Sequence, residues 1–304
     1  MRTTCTTAMA AMFVAFAASA TLAEKVSFAP AGIAFTPGAP VPGAIPGILE
    51  VPKSSVPVPA VVIVHSSAGL LKGGTEEDYA AALNKAGIAT LVIDMWTPRS
   101  IPTGSAAYGG EGGKDLRPKA AIDTLPDAFG ALKFLAARPE IDPKKIGITG
   151  FSWGAVVSFL TMAEPLSMRQ VGPGLRFAAH APHYMGCFGF LPGRPGERTI
   201  KEPWTGAPML LLIGGKDDLD SADGGKNCRA LVESLSPDKK EKFQLVVYPN
   251  ATHSWDAKLP KPVTRFERFA NQGRGGKVRI VPDAKVTAQA RKATVEFFAK
   301  TFGM

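Results

Sequence analysis

From residue 46 onward the chain alternates short apolar runs with longer amphipathic stretches. Runs rich in β-branched residues fall at 60–65, 88–94, 146–151, 208–213 and 243–248. Each is bounded by Gly, Pro or polar residues, the pattern of strands buried on both faces. Apolar positions at helical spacing mark 76–85, 120–137, 153–163, 222–235 and 284–302. Strand and helix in alternation predict an α/β fold, a mostly parallel central sheet with helices on both faces. Segment 177–184 is a weaker strand candidate. Residues 25–51 predict one or two antiparallel edge strands, interrupted by prolines between Pro30 and Pro52. Two stretches lack such periodicity: 97–114, rich in Gly, Pro and Ser, and 255–282, long, basic and rich in Gly and Pro. Loops of that length are often functional, so 255–282 is a candidate lid or insertion within one α/β domain spanning 24–304.

The first 23 residues stand apart. Arg2 is the only charge before Glu24, an Ala-rich apolar run covers 8–18, and small residues lead to Ala20 and Ala23. A basic start, a short apolar centre and small residues at the cut form the layout of a secretory signal peptide. The run is shorter than the roughly 20 apolar residues a membrane span needs. The expectation is cleavage after Ala23, a periplasmic or secreted protein, and no stable membrane insertion afterwards. Of three cysteines, Cys187 and Cys228 follow this leader. An even count in an oxidising compartment predicts one disulfide, with two buried thiols as the alternative.

The 304 residues carry 35 Lys plus Arg against 26 Asp plus Glu, a formal charge of +9, and 45% are hydrophobic. This composition excludes a disordered chain. The basic residues are scattered and lack interleaved aromatics, so no nucleic-acid surface is predicted.

The strongest chemical signal is Gly150-Phe151-Ser152-Trp153-Gly154, set between the apolar run 146–149 and the helical run 155–160. A Gly-x-Ser-x-Gly at a strand-to-helix turn forces a sharp bend that exposes the serine oxygen, and its glycines let strand and helix pass closely. A serine hydroxyl needs a base. Of four histidines, His253 follows the last apolar run and precedes the last helix, the order this arrangement requires. The acid belongs after the intervening run 210–213, where Gly214-Gly215-Lys216-Asp217-Asp218 ends a strand. Asp217 is the choice and Asp218 the runner-up. Backbone donors for an oxyanion are expected from Trp153 and from Ser67, with Ser66 touching the nucleophile. His65 is expected to orient that loop. Arg99 could grip a substrate carboxylate or pair within its own loop, and Trp96, Tyr184 and Trp255 are pocket-wall or core candidates. His180 and His183 lack a partner at ligand spacing, and Asp217, Asp218, Asp220 and Asp223 lack a calcium loop, so no metal is predicted.

Taken in order, segments 61–69, 94–99, 150–154, 214–217 and 248–253 resemble the dienelactone hydrolase family of α/β-hydrolases, over roughly residues 45–302. The resemblance implies an α/β-hydrolase fold and hydrolysis of a small-molecule carboxylic ester or lactone through a covalent acyl-enzyme, without a cofactor. It agrees with Ser152, Asp217 and His253 as catalytic residues and implies Arg99 as a match for a family arginine that binds the substrate carboxylate, while Ser66 and Tyr184 remain candidate substrate contacts from their positions in the chain. The chain departs from the dienelactone-cleaving members. Ser152 stands where they have cysteine, Ser66 where they have glutamate, and no arginine follows His253 within four residues. The expectation is therefore an exported serine esterase of that family. An exported peptidase or acyltransferase on the same fold, or a non-catalytic binding protein, are the competing readings. The exported branch also supports pairing of Cys187 with Cys228.

Overall fold

The computed structural model describes residues 23–104, 107 and 114–304. The expected leader lies outside these residues except for Ala23, as does part of the 97–114 loop. The elements are β1 (Ala23–Phe28), β2 (Ile45–Glu50), β3 (Val58–Val64), α1 (Thr75–Lys85), β4 (Ala89–Ile93), α2 (Leu125–Ala136), β5 (Ile141–Phe151), α3 (Trp153–Leu160), α4 (Glu164–Val171), β6 (Ala179–His183), α5 (Glu197–Lys201), β7 (Met209–Gly214), α6 (Lys226–Glu233), α7 (Pro237–Lys240), β8 (Phe243–Tyr248), β9 (Val263–Glu267), α8 (Ala270–Gly273), β10 (Gly276–Ile280) and α9 (Ala284–Phe302).

Eight strands form one sheet in the order β1-β2-β4-β3-β5-β6-β7-β8. Only β2 runs against its neighbours; all pairings from β4 to β8 are parallel. The central strands β3, β4, β6 and β7 are buried at every position, as helices on both faces require. Helices α1 and α9 pack together, while α2 packs with α3 and α4. This is the α/β-hydrolase arrangement, and it sets the C-terminal ends of β3, β5, β7 and β8 side by side. Helix α9 sits close because Gly147 on β5 has no side chain: a β-carbon there would lie 2.4 Å from the Phe298 ring. Among the described residues, no helix is long and apolar enough to cross a membrane.

The apolar runs became strands with ends shifted by a few residues, and 25–51 forms the antiparallel edge pair. Residues 121–124, at the start of the expected helix 120–137, are a 3-10 turn. Segment 255–282 differs from the structureless loop expected. It folds as an antiparallel hairpin, β9 with β10, closed by the single turn α8. Its small apolar cluster is Val278, Ile280 and Ala270 against Leu219. So little apolar surface, with the charged Arg265 and Glu267 on the half-buried face of β9 and Phe266 on the exposed one, hides the alternation that marks a strand.

Cys187 opens a short 3-10 turn after β6 and is disulfide-bonded to Cys228 in α6, 41 residues on. A cross-link over that separation removes enough unfolded-chain entropy to stabilise by about 3–4 kcal/mol in the chain-entropy model. Replacing both cysteines with alanine should lower the unfolding free energy in urea by about that amount; an unchanged midpoint would contradict this role.

Candidate active site

At the end of β5 the chain reverses into α3 at Ser152, whose φ of 50° and ψ of −103° lie outside helix and strand. The flanking glycines make the reversal possible. A β-carbon on Gly150 would lie 2.2 Å from Gly154 O, and one on Gly154 would lie 2.2 Å from Val64 O. The Ser152 N–H donates to His183 O at 3.0 Å, which ties the turn to β6. Ser152 stands at the head of α3, and Trp153 is that helix's first residue, so its N–H has no partner four residues back within the helix.

After β7, Gly214 and Gly215 let the chain press against the loop that follows β8: β-carbons there would lie 2.5 Å from Ala251 O and from Pro249 O. This approach joins Asp217 to His253. Asp217 Oδ2 lies 2.8 Å from His253 Nδ1, and Asp217 Oδ1 accepts from the Leu219 N–H at 2.9 Å. His253 Nε2 lies 2.9 Å from Ser152 Oγ. The carboxylate therefore fixes which ring nitrogen carries the proton and leaves Nε2 to face the serine. Burial pulls His253 toward its neutral form, but the charge and hydrogen bond of Asp217 outweigh burial and hold its pKa above the ordinary value. Asp218 points elsewhere and accepts from the Arg279 N–H. Non-glycine residues with positive φ gather here: Ser152 (50°), Tyr184 (43°) and Ser254 (49°). Strained backbone of this kind concentrates at functional sites.

The loop after β3 lies across the serine. His65 holds it: Nδ1 donates to Ser66 O at 2.7 Å and Nε2 accepts from the Met95 N–H at 3.0 Å. Burial lowers the His65 pKa to about 4, so the ring is neutral and acts as a strut. His180 and His183 are likewise buried and neutral, lowered to about 4 and about 3 by burial. Ser66 Oγ accepts from the Ala68 N–H, and the Trp96 indole donates to Ser67 O.

An ionic cluster that the sequence did not reveal braces the same loop. The Arg117 side chain is 1% exposed and donates to Ser67 Oγ at 2.8 Å. It pairs bidentately with Asp115 and with Glu267 of β9, and its guanidinium lies over the rings of Trp153 and Phe269. One side chain thus touches Ser67, Trp153 and the hairpin.

Two cavities open on Ser152, and a third adjoins the narrower of them. An apolar one of about 210 Å³ is walled by Trp153, Val156, Phe188, Phe190, Leu219 and Phe269. A narrow one of about 50 Å³ contains Ser152 and His253, and shares Ser67, Ser152 and Glu267 with the first. The third, of about 200 Å³, includes Glu76, Tyr184, Ser254 and Asp256. Burial pushes the Asp256 carboxyl up to about 6 and the Glu76 carboxyl up to about 7. The disulfide anchors the turn that carries Phe188 and Phe190, and Asp220 Oδ1 accepts from the Phe188 N–H.

One expected substrate contact needs correction. Arg99 does not face the site. It pairs bidentately with Asp127 of α2, with side chains 4% and 0% exposed, because an acid buried that deeply needs its counter-charge. Tyr184 is among the walls of the third cavity; it is 2% exposed, its hydroxyl donates to Asp256 Oδ1 at 2.8 Å and its ring packs edge-on against His253. Trp96 and Trp255 are fully buried in the core. The Phe188, Phe190 and Phe269 walls escaped sequence reading because they lie in turns without periodicity. The spacing of Val278 and Ile280 after a Gly-rich turn was the one signal for the hairpin.

A sheet of this order, with a serine at the elbow and an acid and a histidine on the following loops, defines an α/β-hydrolase. The chain belongs to the dienelactone hydrolase family, whose sequence profile matches residues 45–302. A Yersinia pestis protein provisionally named a carboxymethylenebutenolidase is 28% identical over 130 residues, 40% of this chain and 41% of that one. The chain thus spans under half the length of that relative. A Klebsiella pneumoniae structure provisionally named a dienelactone hydrolase matches with TM-score 0.59 and 16% identity, covering 92% of this chain and 99% of its own. Thermogutta terrifontis esterase 2, solved with butyrate bound, matches with TM-score 0.54 and 14% identity over 84% of this chain and 89% of its own. At such identities these structures show a shared fold.

Arg99→Met should cost about 3–5 kcal/mol in urea unfolding, since it strands a buried carboxylate, and adding Asp127→Leu should restore most of it. Loss of ester turnover in the double variant, with stability restored, would return Arg99 to the site.

Proposed function

We propose that this protein hydrolyses carboxylic esters or lactones through an acyl-enzyme on Ser152. The carrying observation is the hydrogen-bonded chain Asp217–His253–Ser152, at 2.8 and 2.9 Å, with Ser152 opening on an apolar cavity. Ser152 Oγ attacks the ester carbonyl while His253 Nε2 takes its proton. The Trp153 and Ser67 amides donate to the oxyanion, aided by the head of α3. His253 then protonates the departing alcohol, and water deacylates the enzyme with His253 again as base.

Arg99 and Arg117 are each taken by protein carboxylates, so neither is offered as a substrate contact. The family and the butyrate-bound esterase among its structural neighbours support ester chemistry over peptide chemistry. The β9–β10 hairpin serves as a lid, pinned by Glu267 to Arg117. Export to the periplasm or beyond the cell is part of the same proposal, and the Cys187–Cys228 bond fits an oxidising compartment.

Ser152→Ala should cut turnover of p-nitrophenyl butyrate by on the order of 10⁴-fold or more. Undiminished turnover would refute the mechanism. Only neutral His253 can take the serine proton, so kcat/KM should fall as pH drops through a midpoint above 6.5, the ordinary histidine value. Asp217→Asn should lower kcat by on the order of 10⁴-fold and move that midpoint to lower pH, because the charge that raises it is gone. A midpoint that stays put would show that Asp217 does not act on His253.

A further inference from the structure

We infer that the apolar cavity beside Ser152 is an acyl-group site, so that the substrates are esters of an apolar acid of about eight carbon atoms, straight-chain or ring-bearing. This rests on the ester hydrolysis proposed above and names the class of ester.

The placement of the proton donor decides which end of the ester enters the cavity. The departing alcohol must take its proton from His253 Nε2. His253 borders the narrow cavity, so the alcohol lies on that side. Ser152 and the oxyanion donor Trp153 border the apolar cavity. With the carbonyl oxygen at the donors and the alcohol at the histidine, the remaining substituent of the carbonyl carbon is the acyl chain. The apolar cavity is the space left to it.

Three half-buried apolar side chains from separate parts of the sequence face this space: Val156 of α3, Phe188 of the turn after β6, and Phe269 of the β9–β10 hairpin. Each is fixed by the protein itself. The Val156 N–H donates to Ser152 O at 3.1 Å, one helical turn on, which puts the valine on the serine's side of the helix. Phe188 follows Cys187, which is bonded to Cys228, and its own N–H donates to Asp220 Oδ1 at 2.9 Å. Phe190 beside it packs on Phe159 of α3, with ring centres 4.6 Å apart. Phe269 lies under the Arg268 guanidinium, 4.6 Å from the ring centre, and the nearby Asn271 N–H donates to Asp218 O at 3.1 Å. The cavity is therefore built before substrate arrives. Its apolar walls face the nucleophile, and covering them with an apolar group is favourable. The polar residues at its rim add no competing recognition, since Arg117 engages both Ser67 and Glu267, and Lys119 is exposed.

Volume sets the size of the acid. An apolar cavity of about 150 Å³ holds a benzene ring. At that ratio of space to carbon, about 210 Å³ takes about eight carbons, an octanoyl or a phenylacetyl group. The aromatic walls accept a chain by dispersion and a ring edge-to-face. The narrow cavity leaves the alcohol about 50 Å³, room for about two carbons by the same measure.

The test varies one end of the ester at a time, with leaving groups of similar reactivity. In methyl esters from acetate to decanoate, wild-type kcat/KM should rise about two- to four-fold per added methylene and stop rising near eight carbons. Methyl octanoate or methyl phenylacetate should exceed methyl acetate on the order of 100-fold, and the comparison of those two separates a straight-chain acid from a ring-bearing one. In alkyl acetates from methyl to octyl, kcat/KM should stay within about four-fold overall, the worth of one methylene. Val156→Phe, which fills the cavity from α3, should cut the octanoate-to-acetate ratio at least about ten-fold. Phe188→Ala, which opens the wall, should move the optimum to longer acids. The two wild-type series decide the question where a variant does not fold.

A rise along the alkyl acetates with a flat methyl series would put the alcohol in the cavity. Flat rates in both series would show that the cavity takes neither end. An unchanged ratio in folded Val156→Phe would place the acyl chain elsewhere. Each of these overturns the acyl site while leaving the esterase intact. Failure to turn over any of the esters overturns both.

Discussion

The backbone contact between the elbow and the end of β3 is the constraint from which the site follows. Gly154 passes so near Val64 O that a single added carbon would collide with it. That approach bends the chain sharply at Ser152 and holds the serine in a conformation most residues avoid. It also brings the loop carrying Ser66 and Ser67 across the head of α3. The second close approach, of Gly214 and Gly215 to residues 249–252, places Asp217 beneath His253. Two pairs of glycines thus convert parallel neighbours in a sheet into one hydrogen-bonded chain.

Buried charge does the remaining positioning. Arg99 and Asp127 join the loop after β4 to α2 inside the protein. Arg117 joins Ser67, Trp153 and the hairpin residue Glu267. Such pairs are weak sources of net stability, because desolvation cancels most of their attraction, yet their geometry is strict since a misplaced partner leaves a bare buried charge. Their effect is to give the oxyanion side of the site one arrangement.

The sheet was legible because its strands are buried on both faces and read as unbroken apolar runs; 243–248 and 284–302 were read to the residue. Ser152, Asp217 and His253 were legible because the elbow has a local signature and the acid and base follow strand ends in a fixed order. The hairpin and Arg117 were not. Both lie in basic, Gly- and Pro-rich segments whose order comes from long-range ion pairs, and an Arg117–Glu267 bond across 150 residues leaves no periodicity to read. Arg99 shows the complementary limit: position after a strand end suggested a ligand contact, but only packing reveals that Asp127 lies inside reach.

The central claim is that Ser152 is an activated nucleophile. Treating folded protein with a fluorophosphonate and mapping the adduct by mass spectrometry tests it most directly. The account predicts a stoichiometric adduct on Ser152, formed orders of magnitude more slowly in His253→Ala. Folded protein that forms no adduct, or forms one at another residue, would contradict it.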